Sequence, residues 1–309
     1  MISQTIQNSA TTLTKLSNNR IKLESPVSEL ENNKFEIKFS ESNVQILDNG
    51  KLLKSVAIET SKQNQFEVFG GGGDDLLSVD LANSNFPFYI KFDGQNNFSG
   101  TVGDALEIKN GNAENAVYYY YNKTDGLIEL DDSKIEYFGL EPIIGIAAAN
   151  ATLNMPNTSN NAVLSDSTNP GELELTDSGA TFENTIFPFP TSSLTFNGGD
   201  MADELTINDL GTLPTSITLT FDGGAGNDVL IIDAMGETYT DNGTSIQITG
   251  SYTYNYTSFE TVTVNNGTLL SGGVPTLSEW GLIILALLLM TLGALYLVQP
   301  KWRNSLEQE

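Results

Sequence analysis

Short runs of alternating apolar and polar residues dominate the first 270 residues of this chain. Eight runs have the period of two that is typical of half-buried β-strands. They are FEIKF (35–39), NVQIL (43–47), FEVF (66–69), FYIKF (88–92), ITLTF (217–221), SIQIT (245–249), SYTYNY (251–256) and ETVTV (260–264). Glycine and asparagine separate the runs, and no long amphipathic helical pattern occurs before Trp280. The pattern therefore predicts an all-β protein.

The chain also contains an internal repeat. FGGGGDDLLSVDLANSNFPFYIKFDG (69–94) and FNGGDMADELTINDLGTLPTSITLTFDG (196–223) share a glycine-rich turn, D-x-L-x-[VI], a proline, an alternating run and Phe-Asp-Gly. Further pairs of similar segments occur at offsets of 124 to 129 residues. We interpret this pattern as a duplication, with copy one at 1–141 and copy two at 142–267. Residues 268–279 would then form a linker that ends in the motif described below.

A shorter period lies within each copy. The element D-x-L-x-[VI] starts at four residues, which we call the turn aspartates: Asp75, Asp104, Asp203 and Asp228. They are 29 residues apart in copy one and 25 apart in copy two. This period favours a parallel β-solenoid, or β-helix, in which successive coils stack on one another. The alternative is a pair of β-sandwich domains, whose usual size of about 100 residues also fits the duplication.

The glycines before the turn aspartates suggest calcium chemistry. GGAGNDVLI (223–231) and GGGGDDLLS (70–78) fit G-G-x-G-x-D-x-U-x, the nonapeptide of calcium-binding β-rolls. The region loosely resembles the repeats of hemolysin-type calcium-binding proteins, and that resemblance implies an oxygen cage completed by carboxylates. In a solenoid the turn aspartates of each copy would lie side by side, so all four are candidate calcium ligands. The alternative is that these turns only connect strands.

Composition narrows the possible chemistry. The chain has 14 Lys and Arg against 39 Asp and Glu, with a formal net charge of −25. A protein that binds nucleic acid needs a basic surface, so we exclude nucleic acid as a partner. The chain contains neither Cys nor His. Disulfides, thiolate chemistry and Ser-His-Asp catalysis are therefore impossible, and any metal must be held by oxygen ligands.

The C-terminal segment differs from the rest of the chain. Residues 280–298 contain no charged side chain over 19 positions. A helix of this length spans about 28 Å, close to the thickness of the hydrocarbon core of a bilayer. We therefore predict a transmembrane helix at 280–298. Lys301 and Arg303 follow it in a short tail, residues 299–309, and the positive-inside rule places this tail in the cytoplasm and the N-terminal part outside.

A short motif precedes this segment. VPTLSEWG (274–281) resembles the bacterial C-terminal sorting signals written I-P-T-L-x-x-W-G, which precede a hydrophobic helix and a basic tail. The matching residues are Pro275, Thr276, Leu277, Trp280 and Gly281, with Val274 in the place of isoleucine. These signals are similar to other exosortase-type signals of Gram-negative bacteria. The resemblance implies that a membrane protease of that type recognises the tail and cuts near the motif.

Export also requires an N-terminal signal. MISQTIQNSATTLTKLSNNR has neither a cationic start nor an apolar stretch, so we expect a further segment upstream. Together, these features predict an exported, non-enzymatic protein of the cell envelope or cell surface, held in the membrane by its C-terminal helix.

Two other functions stay open from the sequence. Parallel β-helices often carry polysaccharide-cleaving enzymes, and a pair of close carboxyl groups in a groove would favour that function. Alternatively, the tyrosines at 118–121, 252, 254 and 256 could form an exposed strip for an extracellular glycan, as in an adhesin stabilised by calcium. The alternative is that these tyrosines are ordinary strand residues that fit a half-buried pleat. An extracellular protein ligand stays open as well.

Overall fold

A computed structural model gives the fold of residues 5–8, 11–17, 19–26, 32–40, 43–57, 63–82, 87–96, 103–214 and 216–270, together with four single positions further on. These residues form 27 β-strands. In chain order the strands are β1 (Thr5–Asn8), β2 (Thr11–Ser17), β3 (Arg20–Glu24), β4 (Lys34–Phe39), β5 (Asn43–Asp48), β6 (Lys51–Ala57), β7 (Asn64–Gly72), β8 (Leu76–Asp80), β9 (Phe88–Asn96), β10 (Asp104–Lys109), β11 (Asn112–Tyr120), β12 (Gly126–Leu130), β13 (Ser133–Phe138), β14 (Leu140–Ile144), β15 (Ala147–Asn154), β16 (Asn161–Asp166), β17 (Glu172–Asp177), β18 (Thr185–Pro188), β19 (Ser193–Asn197), β20 (Glu204–Ile207), β21 (Thr218–Asp222), β22 (Val229–Asp233), β23 (Thr238–Asp241), β24 (Ser245–Ile248), β25 (Thr253–Thr257), β26 (Thr261–Asn265) and β27 (Thr268–Leu269).

The strands form two large sheets that mix parallel and antiparallel neighbours. The long sheet has 15 strands in the order β1-β2-β3-β7-β9-β13-β12-β11-β15-β19-β21-β25-β24-β23-β27. The short sheet has 12 strands in the order β26-β22-β20-β16-β17-β18-β14-β10-β8-β4-β5-β6. The all-β prediction is confirmed, and each of the eight alternating runs overlaps a strand.

The chain passes back and forth between the two sheets. In the first half, β3 lies in the long sheet and β4–β6 in the short sheet. The next four strands alternate, with β7 and β9 in the long sheet and β8 and β10 in the short sheet. The half ends with β11–β13 in the long sheet and β14 in the short sheet. The same order recurs from β15 to β26. Strands from successive passes pair in parallel, for example β7 with β9 and β8 with β10.

Both sheets continue without interruption from the first half of the chain to the second. In the long sheet β11 pairs in parallel with β15, and in the short sheet β14 pairs in parallel with β18. The predicted boundary between residues 141 and 142 lies within β14. Met1–Leu269 is one compact unit. This continuity disagrees with the alternative of two separate β-sandwich domains.

The core lies between the two sheets. Phe39 of the short sheet packs against Phe66 and Phe88 of the long sheet, with ring centroids 5.9 and 4.9 Å apart. Every second residue of a strand points to this core, because successive side chains alternate across a sheet. In β7 the pattern places Phe66 and Val68 inside at 3% and 1% exposure, with Glu67 outside. Apolar burial of this kind is the main source of stability for such a fold.

The C-terminal segment is described at only four positions after residue 270. Leu270–Glu309 is a separate compact unit. Of the predicted span at 280–298, only Ile284, Leu287, Leu289 and Met290 are described, and they are helical and exposed. In the part of the chain that the structure covers, no helix combines the length and apolarity that crossing a membrane requires. The transmembrane helix stays a prediction, since most of it lies outside the described residues.

Candidate functional site

The four turn aspartates lie at matching places in the fold. Each stands where the chain enters a strand of the short sheet, at β8, β10, β20 and β22. Asp75, Asp104, Asp203 and Asp228 are 1%, 0%, 3% and 0% exposed. Since burial of an isolated charge is costly, carboxyl groups at this depth need hydrogen-bond donors, a cation or a proton.

Hydrogen bonds join the turn aspartates within each half of the chain. The backbone N–H of Asp75 donates to Oδ1 of Asp104 at 2.7 Å. The backbone N–H of Asp203 donates in the same way to Oδ1 of Asp228 at 2.8 Å. A backbone hydrogen bond lies next to the first of these contacts: the N–H of Ala105 donates to the carbonyl oxygen of Asp75 at 2.7 Å. The fold thus places the turn aspartates of each half on adjacent strands, with the main chain of one against the carboxyl group of the next.

The same contact recurs on the neighbouring strands. Three more backbone N–H groups donate to a carboxylate one strand further on: Asn33 to Asp75 Oδ1 at 2.7 Å, Asn160 to Asp203 Oδ1 at 2.8 Å, and Asp228 to Glu260 Oε2 at 2.6 Å. We call the two resulting rows, residues 33, 75 and 104 and residues 160, 203, 228 and 260, the aspartate ladders. Each bond ties two successive passes of the chain together at the edge of the core.

Glycine provides the room that the ladder carboxyl groups occupy. A Cβ atom on Gly70 would lie 2.5 Å from Oδ2 of Asp75, and one on Gly223 would lie 2.8 Å from Cβ of Asp228. Neither glycine has a positive φ. A larger residue is therefore excluded by the close approach of neighbouring atoms rather than by backbone conformation: the nearest is the Asp75 carboxyl at Gly70, and at Gly223 it is the Ser258 carbonyl oxygen, with Asp228 next. The glycines that resemble a calcium nonapeptide have a structural role in the ladder.

Burial leaves the ladders with unusual acid chemistry. It raises the pKa of Asp75 and of Asp203 to about 6, against the opposing effect of the hydrogen bonds from Asn33 and Asn160. It raises the pKa of Asp104 to about 7. Within the described residues, Oδ2 of Asp75, Asp203 and Asp228 has no hydrogen-bond partner. An oxygen in this situation can face a cation, and the raised pKa of Asp75 and Asp203 also favours a proton there.

The ladders do not assemble several carboxylates around one point. Across the part of the chain that the structure covers, no group of three or more acidic side chains is placed to hold a metal ion. A calcium ion at a ladder would have to take most of its roughly six to eight oxygen ligands from backbone carbonyls and water. Calcium binding at Asp75, Asp104, Asp203 and Asp228 therefore stays a prediction.

A second candidate site, which the sequence did not indicate, is a cavity of about 340 Å³. Its wall includes Lys123, Glu141, Phe182 and Glu183. Glu183 is only 4% exposed, and burial, with the nearby charge of Glu141 as a second cause, raises its pKa to about 8. Lys123 pairs with Glu141 at 3.0 Å. A buried acid with a raised pKa in a cavity is a recurrent feature of functional sites.

Asp177 also lines this cavity, but its own turn occupies its carboxylate. Gly179 N–H donates to Oδ1 at 2.8 Å, and the Thr181 hydroxyl donates to Oδ2 at 2.7 Å. The pair of acids that the cavity offers is therefore Glu183 with Glu141. Sequence reasoning missed Glu183 because it is one of 39 acidic residues and only the fold distinguishes it by burial.

The predicted tyrosine strip is not present as an exposed surface. Tyr118 and Tyr120 are 1% and 2% exposed, and Tyr254 and Tyr256 are 3% and 9% exposed. The first three tyrosines of the run 118–121 lie on β11, so alternate rings point to the core, and the fourth follows the end of the strand. Tyr121, at 52% exposure, is the one that reaches far into solvent. Of the two alternatives for these tyrosines, their burial favours half-buried strand residues over a continuous glycan-stacking strip.

The motif residues Val274, Pro275, Thr276, Leu277, Trp280 and Gly281 lie outside the described residues. Comparison with known families identifies them, because the IPTL-CTERM motif matches residues 273–303. The chain carries a C-terminal sorting signal of the exosortase type. Such a signal implies anchoring in the membrane at the C-terminus, processing by an exosortase-type enzyme and a place in the cell envelope. A search of the curated proteins found no match, and neither did a search of the solved structures.

Proposed function

We propose that this chain is an exported, non-enzymatic protein of the cell envelope, anchored by its C-terminal segment and released or transferred by a sorting protease. The observation that carries the proposal is the sorting signal at 273–303. In this account Met1–Leu269 stands outside the cytoplasmic membrane, the helix at 280–298 crosses it, and the tail at 299–309 is cytoplasmic until processing.

We further infer that the two sheets are the long faces of a β-solenoid. Support comes from the parallel pairing of successive passes and from the aspartate ladders, which repeat once per pass. A stack of this kind is rigid and elongates by repetition, and its side chains can be exchanged on the outside without disturbing the core. These properties suit a protein that presents a surface to the exterior, including to a glycan or protein ligand.

Protease added to intact spheroplasts tests the proposed topology. The unit Met1–Leu269 should be degraded, while an epitope fused after Glu309 should stay protected. Detergent lysis provides the control, because it should expose the epitope as well. Protection of the N-terminal unit in intact spheroplasts would contradict export.

We propose calcium as a stabilising ligand of the aspartate ladders. The Oδ2 atoms of Asp75, Asp203 and Asp228 support this, because they accept no hydrogen bond within the described residues. Carboxylate oxygens are the ligands that calcium prefers. A modest Kd of about 10⁻⁴–10⁻³ M is expected for an extracellular site with few carboxylates. Tenfold saturation would then stabilise the fold by about 1–2 kcal/mol for each site.

Thermal unfolding of the full chain in detergent, with millimolar calcium and with chelator, tests this. Asp228→Asn should remove part of the calcium shift, because it removes one candidate ligand. Asp132→Asn, a change in an exposed turn, should leave the shift intact. Superimposable curves with calcium and with chelator would show that the ladders need no cation.

A second candidate function follows from the cavity at Glu183. We propose as the alternative that this cavity binds and cleaves a polysaccharide, with Glu183 as the proton donor and Glu141 as the second carboxylate. A pKa near 8 keeps Glu183 protonated at neutral pH, as a general acid requires. Glycoside hydrolysis uses a pair of carboxyl groups of this kind.

The release of reducing ends from a panel of polysaccharides distinguishes this alternative. Cleavage by the full chain that is lost in Glu183→Gln, and kept in the control Glu174→Gln on β17, would establish the enzyme. If no polysaccharide yields new reducing ends, the non-enzymatic proposal stands.

A further inference from the structure

The short sheet has two edges, and they belong to opposite ends of the chain. Among the described strands, β6 at one edge pairs only with β5, and β26 at the other pairs only with β22. Four of the five residues of β26, TVTVN, are β-branched, and none is charged or proline. An edge strand with these properties is a template on which a further strand can pair.

For the short sheet, the chain already contains a pairing that would cover this edge. The two halves of the chain repeat the same order of strands, so each strand of the first half has an equivalent in the second. The equivalent of β14 is β26, and the equivalent of β6 is β18. Inside the molecule β14 pairs in parallel with β18. We propose that β26 of one molecule pairs in the same way with β6 of a second copy, so that copies join head to tail. In the long sheet the equivalents of the internal β11–β15 pair are β23 and β3, which already pair with β27 and β2, so the contact proposed here uses the short sheet alone.

Strand direction permits this addition without rotation of the second copy. Between β26 and β4, neighbouring strands of the short sheet are parallel, except for β16 with β17 and β17 with β18. These two pairs are antiparallel, so their reversals cancel and β4 runs in the same direction as β26. The β4-β5-β6 hairpins then also reverse it twice. Consequently β6 runs in the same direction as β26, and a translated second copy would continue the short sheet with a parallel pair. Heterologous contacts of this kind do not close on themselves and build open chains.

The internal junction also predicts the register on the β26 side. Within the molecule Ile144 of β14 lies opposite Ile186 of β18. Ile144 faces Glu107 of β10, and Thr263 of β26 faces Ile231 of β22. Glu107 and Ile231 each lie three residues after a turn aspartate. Thr263 therefore takes the position of Ile144.

The same comparison assigns the partner on β6. Ile186 of β18 faces Glu174 of β17, and Ser55 of β6 faces Gln45 of β5. Glu174 and Gln45 each lie three residues before the aspartate that ends their strand. Ser55 therefore takes the position of Ile186, and Thr263 of one copy should lie opposite Ser55 of the next. Both side chains are exposed in the single molecule.

Charge favours head-to-tail contact over the symmetric arrangements. Residues 1–141 contain 12 Lys and Arg and 21 Asp and Glu, whereas residues 142–269 contain no Lys or Arg and 15 Asp and Glu. Seven of the 12 cations lie on β2–β6, including Lys51 and Lys54 on β6 itself. Two C-terminal ends would bring only acids together, and two β6 edges would bring lysines together. Opposite charges steer association and reject wrong partners.

Single cysteines provide a direct test, because the chain has none of its own. Full-length Thr263→Cys and Ser55→Cys proteins in detergent are mixed and treated with a short bis-maleimide. The proposal predicts a cross-linked dimer in the mixture, and little from either variant alone. The double variant should give a series of cross-linked oligomers larger than a dimer. The yield of cross-linked product should fall as the salt concentration is raised.

Thr218→Cys serves as the matched control. Thr218 is also an exposed threonine, but it lies on β21, which has a neighbour on both sides. Mixed with Ser55→Cys, it should give no dimer above the background. Dimers from Thr263→Cys alone would show a tail-to-tail contact and overturn the proposal. Equal yields from Thr263→Cys and Thr218→Cys mixtures would show that β26 accepts no second copy, as expected if the chain's own C-terminal segment covers it.

Discussion

A buried aspartate can be held by hydrogen-bond donors, by a cation or by a proton, and the four ladder aspartates of this chain use the first at Oδ1. Each Oδ1 accepts a backbone N–H from the neighbouring strand, at 2.7 Å for Asp104 and 2.8 Å for Asp228. The sequence indicated that the four aspartates are equivalent. It could not indicate that a backbone donor faces them, because the glycines that cradle a cation also admit a carboxylate beside the chain.

Replacement of one ladder carboxyl tests its charge state. Asp104→Asn should keep an oxygen that accepts the N–H of Asp75 and remove the buried charge. Burial raises the pKa of Asp104 to about 7, above the value of about 3.9 in an unfolded chain. Its stabilising contribution is therefore complete below about pH 4 and is lost as the pH rises through about 7. With chelator present, the variant should be more stable than the parent at pH 8, by about 1–3 kcal/mol.

Urea unfolding of the full chain at pH 5 and pH 8 measures this difference. The gain should be much smaller at pH 5, where the parent carboxyl is protonated. Asp132→Asn in an exposed turn controls for the general loss of negative charge and should differ little between the two pH values. A variant that is less stable than the parent at pH 8 would show that the charged carboxylate is needed.

At the scale of elements, alternation predicted the strands well, since a strand that covers a core on one face must alternate. The run ITLTF corresponds to β21 (Thr218–Asp222), with Leu219 and Phe221 both 0% exposed. The three-stranded antiparallel meanders β4-β5-β6 and β16-β17-β18 were not predicted. Their turns at residues 49–50 and 178–180 look like any other Asn-Gly or Ser-Gly turn, and only pairing decides which sheet the strands join.

Two neighbouring residues of β21 test the two faces of this strand. Phe221→Ala removes a ring that is 0% exposed. This ring stacks on Tyr254, with the two ring centroids 6.2 Å apart. Loss of a buried ring should cost about 3–5 kcal/mol in the free energy of unfolding. Thr220→Ala, one residue away on the outer face, should cost less than about 0.5–1 kcal/mol. Denaturant unfolding compares the two, and equal costs would mean that the assigned inner face is wrong.

At the scale of the whole molecule, the repeat in the sequence corresponds to a repeat in the order of passes through two shared sheets. The predicted boundary at 141/142 falls inside β14, because the junction is itself a strand pairing rather than a linker. The cavity at Glu183 lies close to this junction, with Glu141 on β14 and Glu183 just before β18. It could not be predicted from the sequence, since it arises where residues some 40 positions apart meet.

The central claim is that the C-terminal signal directs this protein to the envelope and is processed there. Mass spectrometry of the mature protein, purified from a host with the matching exosortase-type enzyme, tests it most directly. The account predicts a C-terminus within residues 274–277 and retention of Glu309 when that enzyme is deleted. Exchange of Pro275 and Thr276 for alanine should likewise preserve the full tail. An intact Glu309 in the host that carries the enzyme would contradict the account.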